Sequence, residues 1–434
     1  MDSNSSEIGR PSHRVYVTSV AVLHSRRVTG ALASDIVLKK TAGIKIDRNT
    51  NNVILAPNRW ISDIPRNDVF FKIPCSDTFD EINSSSITTN VRILGMKDFI
   101  EKSVAFDGVT PSPDYLPTLL VDSNAEDEIS FLKRDGNNYF IPTGSYEVLK
   151  DIAIPTNCSL TIEKGTTLRF ERNTVLYLEG ALLVDGTKEK PVIFTSNNTG
   201  WGGVIVNNSN IRSKVNFLIC SNANGIGPLI QEKGFDREGW MLTGSVTFNR
   251  SHVDIFNSSF HDIKSEDALN IVSSDFTLQG CSFYQLASDA FDGDFVEGSI
   301  INCSFSDISG DGVDFSGSNA VVRNGSFKNI TDKAISVGEG SNVEVSGCKI
   351  NDVSFGIVSK DLSVTKASNN TITIAKTAAF AAFQKKNSFG PASIIVSKTK
   401  ILDCKQLFLI QDGSVGRLDD LIIQTSDFNT TDLY

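Results

Sequence analysis

The chain has 434 residues, of which 40% are hydrophobic and 21% are charged, and its formal net charge is −10. This length is sufficient for one large domain and a smaller one. The negative charge argues against a nucleic-acid partner, because phosphate binding requires a basic surface, and no stretch is apolar over the length of a membrane span. The apolar run at 15–23 leads to no small-residue cleavage site, so no signal peptide is recognised.

Three predicted segments precede the main domain. Residues 1–12 are polar and are expected to be disordered. Residues 13–106 contain short runs of β-branched and aromatic residues between turn residues, which predicts a small β-rich domain. Residues 107–137 begin with a stretch that holds three of the twelve prolines, and they are predicted to form a linker.

The rest of the chain, residues 138–434, alternates apolar and polar residues as β-strands do, with a predicted loop insertion at 221–244. From residue 267 to residue 376 the sequence repeats in five consecutive lines of 22 residues. A repeat of this length buries its apolar face only by stacking on its neighbours. Short strands in such coils predict a parallel β-helix, in which equivalent residues stack about 4.8 Å apart.

The columns of the repeat identify the residues expected in the core. Two apolar columns are Leu269, Phe291, Val313, Ile335 and Ile357, and Phe260, Phe283, Phe305 and Phe327, with Ile350 one residue out of step. Cys281 and Cys303 share another column and are expected to be stacked free thiols that behave as small apolar residues.

The repeated lines resemble the right-handed parallel β-helix coils of pectate lyases, polygalacturonases, alginate-modifying enzymes and phage tailspikes. A column of Asn257, Asn302, Asn324 and Asn369 is similar to the asparagine ladder in a turn of such proteins, and the resemblance covers roughly residues 140–425. It implies an all-β fold, a right-handed parallel β-helix of roughly ten coils behind the small N-terminal domain, with a polysaccharide or glycan as partner. Because this fold hosts many activities, the resemblance selects none of them.

Six carboxylates lie in three successive lines of the repeat. Their columns read Asp267, Asp289, Asp311 and then Lys333; Asn270, Asp292, Asp314 and then Ser336; and Asp294 followed by Ser316. Two unit charges about 4.8 Å apart repel by roughly 3–4 kcal/mol at an effective dielectric constant near 20. The stacked carboxylates therefore require protons, a cation or hydrogen-bond donors.

The direction of the side chains separates these columns. If the apolar column points inward, alternation along each strand sends Asp292, Asp294 and Asp314 outward, where they form a triangle on one sheet. The first acidic column lies at the bend before the strand, where aspartate commonly accepts backbone N–H bonds. There we expect a structural role, with Lys333 closing the column as an ion-pair partner of Asp311.

A calcium site is the first chemistry that fits these columns, because hard cations take several carboxylate oxygens. The candidate ligands are Asp289, Asp292, Asp311 and Asp314. In a calcium-dependent pectate lyase family of this fold, stacked aspartates hold the metal and a lysine removes the proton beside the uronate carboxyl. The resemblance thus implies a lysine base. Lys333 is preferred to Lys360, which lies three coils, or about 14 Å, from Asp294.

Glycoside hydrolysis by a carboxylate pair is the second chemistry. Outward residues two apart on a strand are about 6.5–7 Å apart, within the separation of an inverting pair, so Asp292 and Asp294 would be acid and base. The Gly-His-Gly and Arg-x-Lys signature of polygalacturonases is absent near these aspartates, as is the Asp-Pro-His-Glu motif of alginate epimerases.

A non-enzymatic solenoid with a glycan- or metal-binding face is the third interpretation, and a tailspike-like trimer would go with it. The substrate-binding candidates are Asn270, Trp240 and Lys360, and Trp201, Phe235 and Tyr284 offer further sugar-stacking surfaces, although such residues more often pack in cores or loops. We favour a metal-assisted polysaccharide lyase or hydrolase with Ca²⁺ as cofactor, whose catalytic residues are Asp292, Asp294, Asp314 and Lys333. An extracellular, cell-surface or particle-associated location suits such a substrate.

Overall fold

The computed structural model describes residues 129–197, 200–226, 242–386 and 389–433, together with seven strands between residues 14 and 103. The chain forms two compact units, Met1–Leu119 and Leu120–Tyr434. The segment 1–12, which the sequence predicts to be disordered, lies outside the described residues. Within the described parts of the chain, no helix has the length and apolar character needed to cross a membrane.

The seven strands of the first unit are short and pair antiparallel. They are β1 (Arg14–Val17), β2 (Val28–Ala31), β3 (Lys45–Asp47), β4 (Asn52–Ile54), β5 (Val69–Lys72), β6 (Thr88–Ile93) and β7 (Ile100–Ser103). β1 pairs with β5, and the other five form a sheet in the order β3-β4-β2-β6-β7. Their sequences are rich in the β-branched residues that favour strands.

The second unit consists of short strands separated by turns. They are β8 (Lys133–Asp135), β9 (Asn138–Ile141), β10 (Ser145–Val148), β11 (Ile152–Ile154), β12 (Ser159–Glu163), β13 (Thr167–Phe170), β14 (Val175–Leu178), β15 (Ala181–Asp185), β16 (Val192–Ser196), β17 (Gly203–Asn207), β18 (Ser213–Asn216), β19 (Leu218–Ser221), β20 (Gly244–Asn249), β21 (Val253–Phe256), β22 (Ser259–His261), β23 (Asp267–Val272), β24 (Asp275–Gln279), β25 (Ser282–Leu286), β26 (Asp289–Asp294), β27 (Glu297–Ile301), β28 (Ser304–Ile308), β29 (Val313–Ser316), β30 (Asn319–Arg323), β31 (Ser326–Gly338), β32 (Asn342–Ser346), β33 (Lys349–Lys360), β34 (Val364–Ser368), β35 (Thr371–Phe383), β36 (Ser393–Ser397), β37 (Lys400–Leu402), β38 (Phe408–Ile410), β39 (Val415–Leu418) and β40 (Leu421–Ile422). A short 3-10 helix, Thr430–Leu433, follows the last strand.

Two long sheets, one of 19 strands and one of 14, build this unit. Strands of successive coils pair in parallel, as β23 does with β26 and β24 with β27. Antiparallel pairs lie at the two ends of the 14-stranded sheet, where β8 pairs with β9 and β39 with β40. The result is a parallel β-solenoid of about 11 turns, which confirms the predicted fold class.

The 22-residue period of the sequence equals the separation, along the chain, between residues that pair in successive coils. The first apolar column pairs residue by residue and is fully buried along its length: Leu269, Phe291, Val313, Ile335 and Ile357. In the second column the ring centroids from Phe260 to Phe283, Phe305 and Phe327 are 4.9, 5.0 and 4.7 Å apart in turn. The rings therefore stack at about the spacing of the strands that carry them, which is 4.7–4.9 Å.

One extra residue explains why Ile350 is out of step. Ile350 pairs with Phe327, although the repeat predicts residue 349 as the partner. Ser316 pairs with Gly338, which is 22 residues later, whereas Asn319 pairs with Asn342, which is 23 residues later. The insertion therefore lies in the turn at residues 339–340, and a bulge in β31 returns the following coil to step.

One turn of the coil holds a column of residues in the left-handed backbone region. Its members have φ between 51° and 68°: Asn257, Gly280, Asn302, Asn324, Gly347 and Asn369. Glycine and asparagine tolerate this region better than other residues, which accounts for their recurrence. Nδ2 of Asn324 donates to Oδ1 of Asn302 at 3.2 Å, so the asparagine ladder expected from the sequence is present at this step.

The solenoid begins earlier than the sequence predicts. Leu132 is buried in the core, and β8 pairs with β9. Residues 129–137, predicted as the end of the linker, are therefore part of the first turn. The side chain of Leu132 supplies apolar cover for the first coil of the described solenoid.

Two further expectations concern single features of the coils. The predicted insertion 221–244 falls between β19 and β20, and its residues 227–241, with Phe235 and Trp240, lie outside the described residues. Cys281 and Cys303 are free and buried, as expected, with the Cys281 N–H directed at Sγ of Cys303 at 3.4 Å.

Candidate functional site

The acidic columns lie side by side on the 19-stranded sheet, within β23, β26, β29, β31 and β33 or in the bend before them. They are referred to below as the acidic face, which comprises Asp267, Asn270, Asp289, Asp292, Asp294, Asp311, Asp314, Lys333 and Lys360. Asn270 pairs with Asp292, and Asp292 pairs with Asp314. Phe291 is buried while Asp292 and Asp294 are only partly buried, so alternation sends the aspartates outward as predicted.

The first acidic column, Asp289, Asp311 and Lys333, carries a chain of hydrogen bonds from coil to coil. Oδ1 of Asp289 accepts the N–H of Asp311 at 2.7 Å, and Oδ1 of Asp311 accepts the N–H of Lys333 at 2.9 Å. Nζ of Lys333 lies 3.3 Å from Oδ1 of Asp311 and 2.5 Å from Oδ2 of Asp332. The turn role and the ion pair expected for this column are therefore both present.

Asn270 connects two aspartates of the outward triangle. Its Nδ2 donates to Oδ2 of Asp292 at 3.1 Å and to Oδ2 of Asp294 at 3.3 Å. Asn270 is buried, so its amide is fixed in place. The sequence predicts substrate binding for Asn270, but its amide nitrogen is engaged by these two carboxyl groups and holds them side by side.

Lys360 reaches the acidic face from two coils away. Its Nζ lies 3.5 Å from Oδ2 of Asp314. Gly338 precedes Lys360 by one coil and leaves the path open, because a Cβ there would lie 3.0 Å from Cε of Lys360. The contact is with Asp314, two coils away, and not with Asp294, from which the separation of three coils made Lys333 the preferred lysine in the sequence.

Burial and mutual repulsion raise the pKa of most carboxyl groups on the face. Burial, together with the charge of Asp311, raises the pKa of Asp289 to about 8. Burial also raises the pKa of Asp267 to about 7 and that of Asp311 to about 6, the latter in spite of its lysine partner. Burial and the adjacent Asp294 raise the pKa of Asp292 well above its usual value. These groups hold protons at a pH where an exposed aspartate is ionised.

Asp314 is the exception on this face. Burial raises its pKa, but the ammonium group of Lys360, the hydroxyl group of Ser336 and the ammonium group of Lys333 together outweigh burial, so that the pKa of Asp314 is lowered. An ionised carboxylate therefore stands beside carboxyl groups that keep their protons. Carboxyl groups whose pKa values are pushed apart can divide the roles of acid and base.

Three carboxyl groups of the face are close enough to share a cation. Oxygens of Asp289, Asp311 and Asp314 all lie within 4.8 Å of one another. Oδ1 of Asp314 is buried and has no hydrogen-bond partner in the described part of the chain. This donor set suits a hard cation, although two ammonium groups already supply positive charge to it. Asp292, the fourth predicted ligand, is not a member of this group of three.

An apolar cover closes one end of the face, and the sequence analysis does not anticipate it. The outward side chains of the next coils form a separate apolar cluster, against which Phe428 and Leu433 pack: Phe355, Val358, Ala378, Ala381 and Phe383. Lys333 pairs with Phe355, and Lys360 pairs with Phe383. The two lysines, 2% and 4% exposed, therefore lie where the acidic face meets this cover.

Glu339 is a further residue of the site that sequence reasoning does not select. Its Oε2 accepts a hydrogen bond from Oγ of Ser316 at 2.8 Å, and its Oε1 lies 2.5 Å from Nζ of Lys386. Glu339 lies in the inserted turn, so the displacement of Ile350 is the signal in the sequence that marks it.

Two of the aromatic residues proposed as sugar-stacking surfaces, Trp201 and Tyr284, lie in the described part of the chain, and neither belongs to the acidic face. Trp201 is fully buried, stacks on Phe170 with ring centroids 4.0 Å apart, and donates its Nε1–H to the carbonyl of Ser221 at 2.9 Å. It is therefore a core residue. Tyr284 is partly exposed on β25 and stacks on His261 with centroids 4.6 Å apart.

Comparisons with known proteins concern the fold. The family model described as "Right handed beta helix region" matches residues 244–401. The A-module of the Azotobacter vinelandii mannuronan C-5 epimerase AlgE4 is similar in structure, with a TM-score of 0.40 and 12% identity over 68% of this chain and 91% of that chain. A GH136 lacto-N-biosidase from Eubacterium ramulus has a TM-score of 0.40 and 10% identity over 63% of this chain and 62% of that chain.

An alginate lyase from Paenibacillus sp. str. FPU-7 has a TM-score of 0.31 and 8% identity over 58% of this chain and 90% of that chain. A search of curated proteins finds no match to the sequence. The parallel pairing of the coils and the family match agree with the resemblance of the repeated lines. The chain contains a right-handed parallel β-helix built from repeated coils.

Proposed function

We propose that the protein is a carbohydrate-active enzyme that acts on an acidic polysaccharide at the acidic face. The observation that carries the proposal is the separation of pKa values between Asp292, whose pKa is raised, and Asp314, whose pKa is lowered. Such a separation between neighbouring carboxyl groups supports acid–base chemistry. The resemblance of the coils to those of polysaccharide-active β-helix proteins supplies the class of substrate, and an extracellular or surface location goes with it.

In this proposal two aspartates divide the proton transfers. Asp292, whose pKa is raised, is the acid that donates a proton to the leaving oxygen of the glycosidic bond. Asp314 is the ionised carboxylate that accepts a proton from the sugar or from water. Lys360, 3.5 Å from Asp314, keeps it ionised, and Asp294 helps to keep Asp292 protonated. Lys333, whose ammonium group is held by Asp311 and Asp332, is better suited to position Asp311 than to act as a base.

Calcium is the proposed cofactor, and Asp289, Asp311 and Oδ1 of Asp314 would hold it, so that Oδ2 of Asp314 is the oxygen that would accept the proton. When bound, a hard cation supplies positive charge that stabilises a developing anion on the substrate. The close oxygens of these three residues and the unpartnered Oδ1 of Asp314 support this choice of ligands within the described chain.

Turnover separates the classes of activity. We would incubate the full chain with polyuronates and with neutral polysaccharides, with and without calcium. A lyase produces unsaturated uronates and a hydrolase produces reducing ends. Glycan binding with neither product would contradict the enzymatic proposal and favour a non-enzymatic glycan-binding solenoid.

Calcium binding is expected to strengthen as the pH rises through the range from about 6 to about 8. The carboxyl groups of Asp311 and Asp289, with pKa values of about 6 and about 8, must lose their protons before they bind a cation. Calorimetric titration of chelator-treated protein at several pH values measures this. Asp289→Asn should lose most of the affinity and the part of the pH dependence near pH 8, while the part that is due to Asp311 remains.

The matched control is Glu344→Gln, which removes an exposed carboxylate on the 14-stranded sheet and should bind calcium as the wild type does. An affinity that does not change with pH, or that survives Asp289→Asn, would show that these three residues do not hold the cation.

A further inference from the structure

A segment that follows the last strand, residues 424–433, folds back over the outward surface of the 19-stranded sheet. The ring of Phe428 meets the ring of Phe383 edge to face, with centroids 6.3 Å apart, and Leu433 packs on the same apolar cluster. We refer to residues 424–433 as the strap. Because the strap lies on side chains that point outward, it stands above the surface of the sheet by one layer of chain.

Gln411 ties the strap to a second segment, the loop that follows β35. Its Nε2 donates to the carbonyl of Phe428 at 3.1 Å, and its Oε1 accepts the N–H of Gln384 at 2.8 Å. Oδ1 of Asp361, which is fully buried, accepts the backbone N–H groups of residues 385–386, both at 2.7 Å. The strap and the loop therefore form one connected border at the end of the acidic face.

The column of Asp292 and Asp314 is open to solvent over two coils. Both aspartates are partly exposed. The three members of the column on either side of them are buried, and in chain order these are Ile205, Thr247, Asn270, Ser336, Val358 and Ala381. Equivalent residues lie about 4.8 Å apart, so the opening over this column is roughly 10 Å long.

The neighbouring column of Asp294 shows which side of the opening continues. Before Asp294 this column contains Val272 and Asn249, and both are partly exposed. Towards the strap the column is buried at Gly338 and, one coil further, at Lys360. A chain that lies along the face can therefore leave past Val272, but it cannot continue beneath the strap.

We propose that the acidic face is a pocket closed by the strap, which receives the end of a polysaccharide chain, so that the enzyme cleaves at chain ends and not at internal bonds. This inference rests on the proposed function and adds the mode of attack to it. An internal stretch of polymer would have to extend in both directions from Asp292 and Asp314, and the strap occupies one of these paths. A chain end needs only the side that is open, so the strap selects which bond reaches the two aspartates.

The size of the products tests this with the full chain and polyuronates of several lengths. We expect the wild type to release short products of constant size from the first samples onward, while the viscosity falls slowly. At a fixed mass of polymer, the initial rate should fall in inverse proportion to the chain length, because the number of ends does. Long fragments of mixed size in the first samples would overturn this inference and leave the proposed function standing.

The double variant Phe428→Ala/Leu433→Ala removes the side chains that pack the strap on the apolar cluster, so longer fragments should appear among its products. Gln411→Ala breaks only the hydrogen bonds to the strap and the loop, and it should shift the products in the same direction even if the double variant does not fold. The matched control is Leu421→Ala, which truncates a leucine that is 68% exposed just before the strap and should give wild-type products. Unchanged end products from folded strap variants would show that the strap does not close the pocket.

Binding decides the inference if the wild type cleaves no polyuronate, in which case the proposed function fails. Equilibrium binding is then measured at a fixed mass of polyuronate of each length. A binding capacity that falls in inverse proportion to the chain length would support a pocket for chain ends without turnover. A capacity that does not depend on length, or no binding at all, would overturn the inference together with the proposed function.

Discussion

Asp314→Asn is expected to lower turnover of the polysaccharide by about 10²–10⁴-fold, the range for loss of a general acid–base group. Asparagine keeps the shape of the side chain but cannot accept a proton. Asp314 is the carboxyl group of the face whose pKa is lowered, through Lys360 and Lys333, so the charge that is lost is one present at neutral pH. Initial rates as a function of pH measure the effect.

A second variant separates catalysis from stability. Asp314→Asn removes the ion-pair partner of Lys360, which is 4% exposed, and an unpaired buried charge destabilises a fold. The double variant Asp314→Asn/Lys360→Gln removes both charges, so it should recover thermal stability but not turnover. Glu344→Gln should be active. Turnover by Asp314→Asn within a few-fold of the wild type would refute the role of Asp314.

Phe305→Ala is expected to destabilise the solenoid by about 3–5 kcal/mol, as other buried phenylalanine truncations do. The ring of Phe305 is 1% exposed, and its centroid lies 5.0 Å from that of Phe283 and 4.7 Å from that of Phe327. Alanine would leave a gap between two rings that the strand spacing holds apart, so they cannot close it. Denaturant unfolding of the full chain measures the change.

Leu407→Ala is the control for this truncation, because Leu407 is 53% exposed and a surface substitution changes stability by only about 0.5 kcal/mol. Coils of a solenoid interact mainly with their neighbours. Faster amide hydrogen exchange in the coils that contain Phe283 and Phe327 should therefore accompany the loss. A cost of about 1 kcal/mol or less for Phe305→Ala would falsify the assignment of this column to the core.

The repeat made the fold predictable from residues alone. Leu269, Phe291 and Val313 recur every 22 residues, and in the structure each pairs with the next. A period that equals one coil places equivalent residues in contact through the strand ladder, so a column in the sequence is a column in space. The same period places Asp292 and Asp314 on neighbouring strands of one face, and the two residues pair in the structure.

Contacts that depend on the reach of a side chain could not be predicted from the repeat in this way. The contact between Lys360 and Asp314 spans two coils, and the side chain of Lys360 passes close to Gly338. Counting strand spacings gives the distance between backbones, but it does not give the path of a four-carbon side chain. For this reason the sequence favoured Lys333, whose ammonium group is held by Asp311 and Asp332 in the bend.

The sequence by itself determined the β-helix, its register and the columns that meet on the acidic face, because these follow from a period and from alternation along strands. Only the tertiary structure decided which carboxyl groups keep their protons, since the pKa of Asp289 or Asp314 depends on burial and on lysines from other coils. The tertiary structure also decided which segments border the acidic face. The loop at Lys385 and the cover at Phe428 come from segments outside the repeat, whose positions no period can predict.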